Sequence, residues 1–143
     1  YNHGYNIINR QYSRADSFSL DETEIKLSSG SKKPDFPEAL KKLKHDLSSK
    51  YAWLTRGAIE TLGLDGENHL SRCPSFENEI VDAIGAGDAF CTLASLAAAK
   101  GFPLDISTYL AQMAGAQAVR IIGNSESIKK GDFLKAAQTM INF

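Results

Sequence analysis

Val81-Asp82-Ala83-Ile84-Gly85-Ala86-Gly87-Asp88-Ala89-Phe90 compresses a turn of small residues, an acidic side chain and a helix start into consecutive positions. The first N–H groups of a helix have no intrahelical partner, and the macrodipole is positive at that end, so such a start attracts anions. Gly85, Ala86 and Gly87 carry almost no side chain, which lets a phosphate come close to those N–H groups. Asp88 sets a carboxylate in the same turn, where an incoming hydroxyl would meet the phosphate. An anion cradle beside a carboxylate base is what phosphoryl transfer to an alcohol requires, because positioning and charge stabilisation carry most of that reaction.

The same residues carry a resemblance. Asp82-Ala83-Ile84-Gly85-Ala86-Gly87-Asp88-Ala89-Phe90 is similar to the second signature of the ribokinase-like (PfkB) carbohydrate kinases, Asp-Thr-Thr-Gly-Ala-Gly-Asp-x-Phe. Asp82, Gly85, Ala86, Gly87, Asp88 and Phe90 match; Ala83 and Ile84 stand where the family has threonines. The resemblance implies an anion hole built by Gly85, Ala86 and Gly87 and a catalytic base at Asp88. It also implies a monovalent cation such as K⁺ beside the anion hole, held by Asp82, the Ile84 carbonyl, Gly123 and Ser127. Asp21-Glu22-Thr23-Glu24 stands where the family has Asn-x-x-Glu, which implies Mg²⁺ near Glu24, with Asp21 replacing the Asn. Thr55-Arg56-Gly57 resembles the Thr-x-Gly that lies near the ATP phosphates, although Glu60 stands where the family continues with glycine. The helix after Ser107 and the loop Ile121–Ser127, with Gly123 and Asn124, resemble the wall of the adenine pocket.

Two other readings compete. Gly85-x-Gly87 begins a dinucleotide fingerprint, but Phe90 occupies the third glycine position, and the only acidic residue about twenty positions on, Asp105, lies in a helix–helix turn. The departures at Asp21, Glu60 and Ala83 leave a non-catalytic nucleotide-sensing module, and a nucleoside kinase relative, as alternatives to a sugar kinase. There is no Walker loop, no Gly-x-Ser-x-Gly elbow and no His-Glu-x-x-His helix.

The rest of the chain reads as alternating strands and helices. Ser17–Leu20 is a strand, followed by a helix that Asp21 and Glu24 start as a capping box and Gly30 ends. Pro37 opens an amphipathic helix with Leu40, Leu43 and Leu47 inward and Lys41, Lys42 and Lys44 on a solvated face. Tyr51–Thr55 is a strand, Ala58–Leu64 and His69–Cys73 form a hairpin around Asp65-Gly66, and Glu79–Val81 is a further strand. Helices are expected from Ala86 to about Ala99, from about Ser107 to Arg120 and from Gly131-Asp132 onward, the last with Phe133, Leu134 and Ala137 inward. Gly123-Asn124 reads as a left-handed cap closing the helix before it. The pattern predicts an α/β fold, a Rossmann-like layered sheet with flanking helices.

Composition bounds the function. The chain has 143 residues, 43% hydrophobic, enough for one core. Its 16 basic and 17 acidic side chains leave a net charge of -1, which argues against a dedicated nucleic-acid or polybasic membrane surface. No apolar run reaches the length of a membrane span. Cys73 and Cys91 fit a reducing, cytoplasmic setting, with Cys91 expected in the core of its helix. His3, His45 and His69 lack metal-ligand spacing and read as surface residues. The family resemblance covers the later half of such a kinase, so 1–143 reads as a single partial domain, its substrate-binding half absent and the piece alone inactive. The implied partners are ATP and a sugar or sugar phosphate, with a homodimer when full length.

Overall fold

The computed structural model describes residues 12–76 and 82–141. In order, it forms β1 (Ser17–Asp21), α1 (Glu22–Ser29), α2 (Phe36–Asp46), β2 (Tyr51–Thr55), β3 (Glu60–Leu64), β4 (Leu70–Pro74), α3 (Ala86–Ala99), α4 (Leu104–Ala118), a 3₁₀ turn (Ile122–Asn124) and α5 (Lys130–Ile141). The four strands make one sheet in chain order. β1 and β2 run parallel through the α1–α2 crossover, and β2, β3 and β4 are antiparallel neighbours. The expected strand at Glu79–Val81 lies outside the described residues, as does His3.

Alternation along β2 explains the layers. Ala52 and Leu54 face one side, where they meet Leu62 and Leu64 of β3, Ile25 of α1 and Leu40, Leu43 and Leu47 of the α2 segment. Tyr51 and Trp53 face the other side, against Phe90, Ala94 and Ala98 of α3 and Ala111 of α4. A strand's side chains alternate between faces, so one sequence supplies both cores. The layered α/β architecture expected from the sequence is therefore present.

The two helix starts before the sheet's centre form as their sequences direct. The Asp21 carboxylate accepts the Glu24 N–H at 2.8 Å while Glu24 accepts the Asp21 N–H at 2.9 Å, a complete capping box. Asp35 caps α2 through the Glu38 N–H, with Pro37 in the first turn. The hairpin turn is held by the Asp65 carboxylate, which accepts from the backbone N–H groups of Glu67 and His69.

Several expectations are corrected. Lys44 is not on a solvated face: it is buried beside Leu43, and its ammonium donates to the Asn68 side chain at 3.0 Å. Its position four residues after Leu40 puts its aliphatic stem on the inward stripe, leaving only the tip polar. Leu134 is exposed while Ala137 is buried, so the inward face of α5 is narrower than hydrophobicity suggested. Cys91 is half-buried on the flank of α3, beside Ser95, rather than in the core. α4 begins at Leu104, after Pro103, rather than near Ser107. Gly123 is left-handed, at φ 58°, but within the separate 3₁₀ turn and not as the cap of α4.

Candidate functional site

The start of α3 has an uncommon cap. Gly85 occupies the N-cap position at φ 85°, ψ −9°, and no side chain caps the helix. Helices more commonly spend their first N–H groups on a Ser, Thr, Asp or Asn side chain. Ala86 makes only a long contact, 3.4 Å, to the Ala83 carbonyl, and among the described residues the N–H groups of Gly85, Gly87 and Asp88 have no hydrogen-bond acceptor. The left-handed turn needs glycine, and Gly87 has nothing within 4 Å of where a Cβ would stand. Donors without a partner among the described residues, at the positive end of a 14-residue helix, are the arrangement that attracts an anion.

Those residues border a cavity of about 250 Å³ lined by Asp21, Thr55, Gly57, Thr61, Ala83, Ala86, Gly87, Phe90, Gln112, Gly115 and Val119. It lies where the C-terminal ends of parallel β1 and β2 meet the N-terminus of α3, the customary ligand crevice of an open α/β sheet. The fold thus joins the Thr55–Gly57 turn to the Gly85–Asp88 turn, thirty residues apart in sequence. The Asp88 side chain stands exposed in the first turn of α3, with no hydrogen bond or ion pair among the described residues. It does not line the cavity; it stands beside Gly87, which does.

Asp82 braces the turn. Its carboxylate accepts the Ile84 N–H at 2.9 Å and the Gly123 N–H at 2.8 Å, and its own N–H donates to the Val119 carbonyl. The two N–H groups hold its carboxyl below the ordinary range, so it is charged. The glycine turn and the 3₁₀ turn after α4 are thereby tied across 41 residues. Ile84 and Ile122 leave their side chains exposed on either side of this tie.

The other expected residues divide. Thr55 sits at the end of β2 and donates to the Leu20 carbonyl at 3.4 Å; Gly57 follows at φ 52°. Arg56 turns away from the cavity. Its guanidinium meets Glu22 at 3.3 Å and Glu60 at 2.6 Å and lies over the Phe36 ring at 4.4 Å. Glu60 also receives Arg72, so the residue at the expected glycine position anchors an ion-pair network instead. Lys26 and Arg56 together hold Glu22 below the usual carboxylate range. Glu24 is engaged in the capping box, whereas its partner Asp21 lines the cavity. Ser127 borders a different depression, with Arg120 and Lys129. Asn124 belongs to the 3₁₀ turn beside Gly123. Among the described residues, no three His, Cys, Asp or Glu side chains gather into a metal-holding group.

Sequence reasoning missed Thr61 and Gln112. The buried Thr61 hydroxyl donates to the Gln112 side-chain carbonyl at 2.8 Å, and both residues line the cavity. The carbonyl is spent on Thr61, which leaves the Gln112 amide NH₂ as the pair's spare donor. The signal was available: Thr108, Gln112, Gly115 and Val119 fall at helical spacing on one stripe of α4, and a polar amide in such a stripe calls for a reason.

A layered α/β sheet with a glycine turn and a helix N-terminus at its strand ends is an arrangement that α/β ligand-binding folds share. The model of the pfkB family of carbohydrate kinases matches residues 8–130, and the chain belongs to that family. No curated protein sequence matches the chain. Among solved structures it is similar to an Arabidopsis thaliana ribokinase complexed with ribose and ATP, at TM-score 0.74 and 22% identity over 90% of this chain and 43% of the other. Escherichia coli phosphofructokinase-2 in complex with potassium gives TM-score 0.73 and 19% identity over 86% of this chain and 40% of that enzyme. Thermotoga maritima ribokinase gives 0.71 and 23% over 87% and 42%. The chain therefore spans about two fifths of the length of these structures. The ribokinase-like fold is shared. Among the described residues no helix is long and apolar enough to cross a membrane.

Proposed function

We propose that this chain is the nucleotide-binding and catalytic portion of a kinase that transfers the γ-phosphoryl group of ATP to a hydroxyl of a sugar or sugar phosphate. One observation carries the reading: among the described residues the N–H groups of Gly85, Gly87 and Asp88 have no acceptor, and they stand with the exposed Asp88 carboxylate next to the strand-end cavity that Gly87 lines. The part of each related structure that the chain spans supports reading it as one portion of a longer kinase, with the acceptor-selecting residues elsewhere.

In this reading the acceptor oxygen bonds to the γ-phosphorus as the bond from phosphorus to the β–γ bridging oxygen breaks. ADP leaves with that electron pair. Asp88 takes the hydroxyl proton, which becomes acidic only as the oxygen's bond to phosphorus forms. Amides of Gly85, Gly87 and Asp88 stabilise the charge on the phosphoryl oxygens without reorganising. Thr55, Gly57 and the Gln112 amide border the space for the nucleotide. Arg56 acts at one remove, holding its turn against Glu22 and Glu60.

Mg²⁺ takes oxygen ligands and is commonly bound by one or two carboxylates plus water and phosphate oxygens, so the Asp21 carboxylate at the cavity wall fits it, with Glu24 setting that side chain's orientation. When bound, the ion would neutralise nucleotide charge. For a monovalent cation, the charged Asp82 would be the oxygen ligand at this turn, although both its oxygens accept from the Ile84 and Gly123 N–H groups; the Ile84 carbonyl is implied by the family resemblance.

Isothermal titration of the full-length protein with ATP and ADP, together with a phosphotransfer assay on a sugar panel, tests this. Binding with turnover on at least one sugar is expected. Binding without turnover on any acceptor would replace the kinase by a nucleotide sensor, and NAD(P) binding without ATP binding would overturn both.

A further inference from the structure

A second polar cavity lies at the opposite end of the sheet. It encloses about 670 Å³ between the end of α2 and the β3–β4 turn, and its lining includes Lys41, Lys44, His45, Ser49 and Asn68. Ser49 precedes β2 and Thr55 ends it; at about 3.3 Å per residue the two cavities are about 20 Å apart. No ligand held at the first could reach the second.

Three features mark this as a built site. Lys44 is buried, 6% exposed, yet its ammonium, with three donors, has one acceptor among the described residues, Asn68. Ser49 is 8% exposed, and its buried hydroxyl has no partner among the described residues. A buried polar atom without a partner is costly, and a lysine ammonium is rarely buried with two donors unspent. Ser48 and Asn68, flanking the cavity, both adopt left-handed conformations, at φ 50° and 62°, without being glycine. Such strain persists where the surroundings enforce it.

The charge around the cavity favours an anion. Lys41 is exposed at the rim with no ion pair among the described residues, whereas Lys42 is paired with Asp46. Asp65, the carboxylate nearest in effect to Lys44, is engaged by His69 and two backbone N–H groups. Glu38, the one carboxylate in the lining, is exposed. The negative end of α2 is covered, because the carbonyls of Leu43, Lys44 and His45 accept from Leu47, Ser49 and Ser48. Lys44, Ser49 and Lys41 line the same cavity, and an ammonium, a hydroxyl and a rim lysine are the donor types that suit a tetrahedral oxyanion; the volume leaves room for an organic group attached to it.

We propose that this cavity binds a small phosphate monoester as a ligand separate from the nucleotide, held by Lys44, Ser49 and Lys41. The test is amide-resolved NMR titration of the full-length protein with glycerol 3-phosphate and, separately, with inorganic phosphate, against a KCl control at matched ionic strength. Saturable shifts at Ser49 and Asn68 are expected from the monoester. A charge-assisted hydrogen bond is the stronger kind, so Lys44→Met should weaken that response about tenfold and Lys41→Met about threefold. Lys41 is exposed, so its variant tests the site even if Lys44→Met does not fold. A response from inorganic phosphate as strong as from the monoester would show that the ester's organic part is not read and would overturn the monoester assignment. Shifts confined to Gly87 and Asp88, matched by KCl, or equal in wild type and Lys41→Met would overturn the site itself.

Discussion

The two faces of the sheet are built differently, and the difference places the glycine turn of α3 at the strand ends. Towards α1 and α2 the sheet presents Ala52, Leu54, Leu62 and Leu64, and the helices answer with Ile25, Leu40, Leu43 and Leu47, an aliphatic core. Towards α3 and α4 it presents Trp53, Thr61 and Gly63, and the helices answer with alanines, Thr108 and Gln112. The Trp53 indole donates to the Thr108 hydroxyl at 2.9 Å, which donates onward to the Leu104 carbonyl. The aliphatic face gains its stability from buried area. The other face combines small residues with directed hydrogen bonds, which brings a helix N-terminus close to the strand ends and fixes its angle. One face stabilises; the other positions.

That contrast can be broken. The largest effect is expected at Asp88. Asp88→Asn in the full-length enzyme should lower kcat by about 10²–10⁴-fold, the usual range for loss of a general base. The side chain is exposed and unpaired among the described residues, so Tm should stay at the wild-type value; an unchanged kcat would remove the base assignment. On the aliphatic face, Leu54→Ala should cost about 2–5 kcal/mol in urea denaturation, with ATP affinity of the surviving folded protein unchanged.

Gly63→Ala probes the positioning face. A Cβ there would meet the Thr108 hydroxyl at 3.0 Å and the Trp53 ring at 3.1 Å, both fixed by their mutual hydrogen bond. Overpacking of about 1–3 kcal/mol should follow, together with weaker ATP binding. A stability loss with wild-type affinity would show that the face does not position the site.

Asp82→Ala should release the Ile84 and Gly123 amides and raise the ATP dissociation constant by about three- to tenfold, read by calorimetry. The same carboxylate gives a pH signature. Its folded value is depressed, so the brace is fully present above the ordinary carboxylate range and is lost only as pH falls through the lowered value. The Gly123 amide resonance should therefore hold its position through mildly acidic pH and move only below it.

The smallest effect is at Cys73, where burial, with Asp105 adding to it, pushes the thiol up to about 11. Iodoacetamide at pH 8 should label the half-buried Cys91 well before it. Because the folded thiol resists ionisation, stability should decline as pH rises from about 9 towards 11. Equal labelling rates at the two cysteines would show that the β4–α4 packing opens readily.

The sequence by itself determined what its local rules can express. Glycines and an aspartate at fixed spacing announced the anion turn, Asp21 and Glu24 wrote the capping box, and period-two alternation in Tyr51–Thr55 set the two faces. Those signals are short-range, because each depends on the backbone within a turn or two. Only the tertiary structure decided where side chains separated by tens of residues would meet. It put Arg56 on Glu22 and Glu60 instead of facing the cavity, buried Lys44 against Asn68, paired Thr61 with Gln112, and tied Asp82 to Gly123. A charged or polar side chain takes its partner from whatever the packing brings within about 3 Å, and that choice is written in the contacts between elements, not in any one of them.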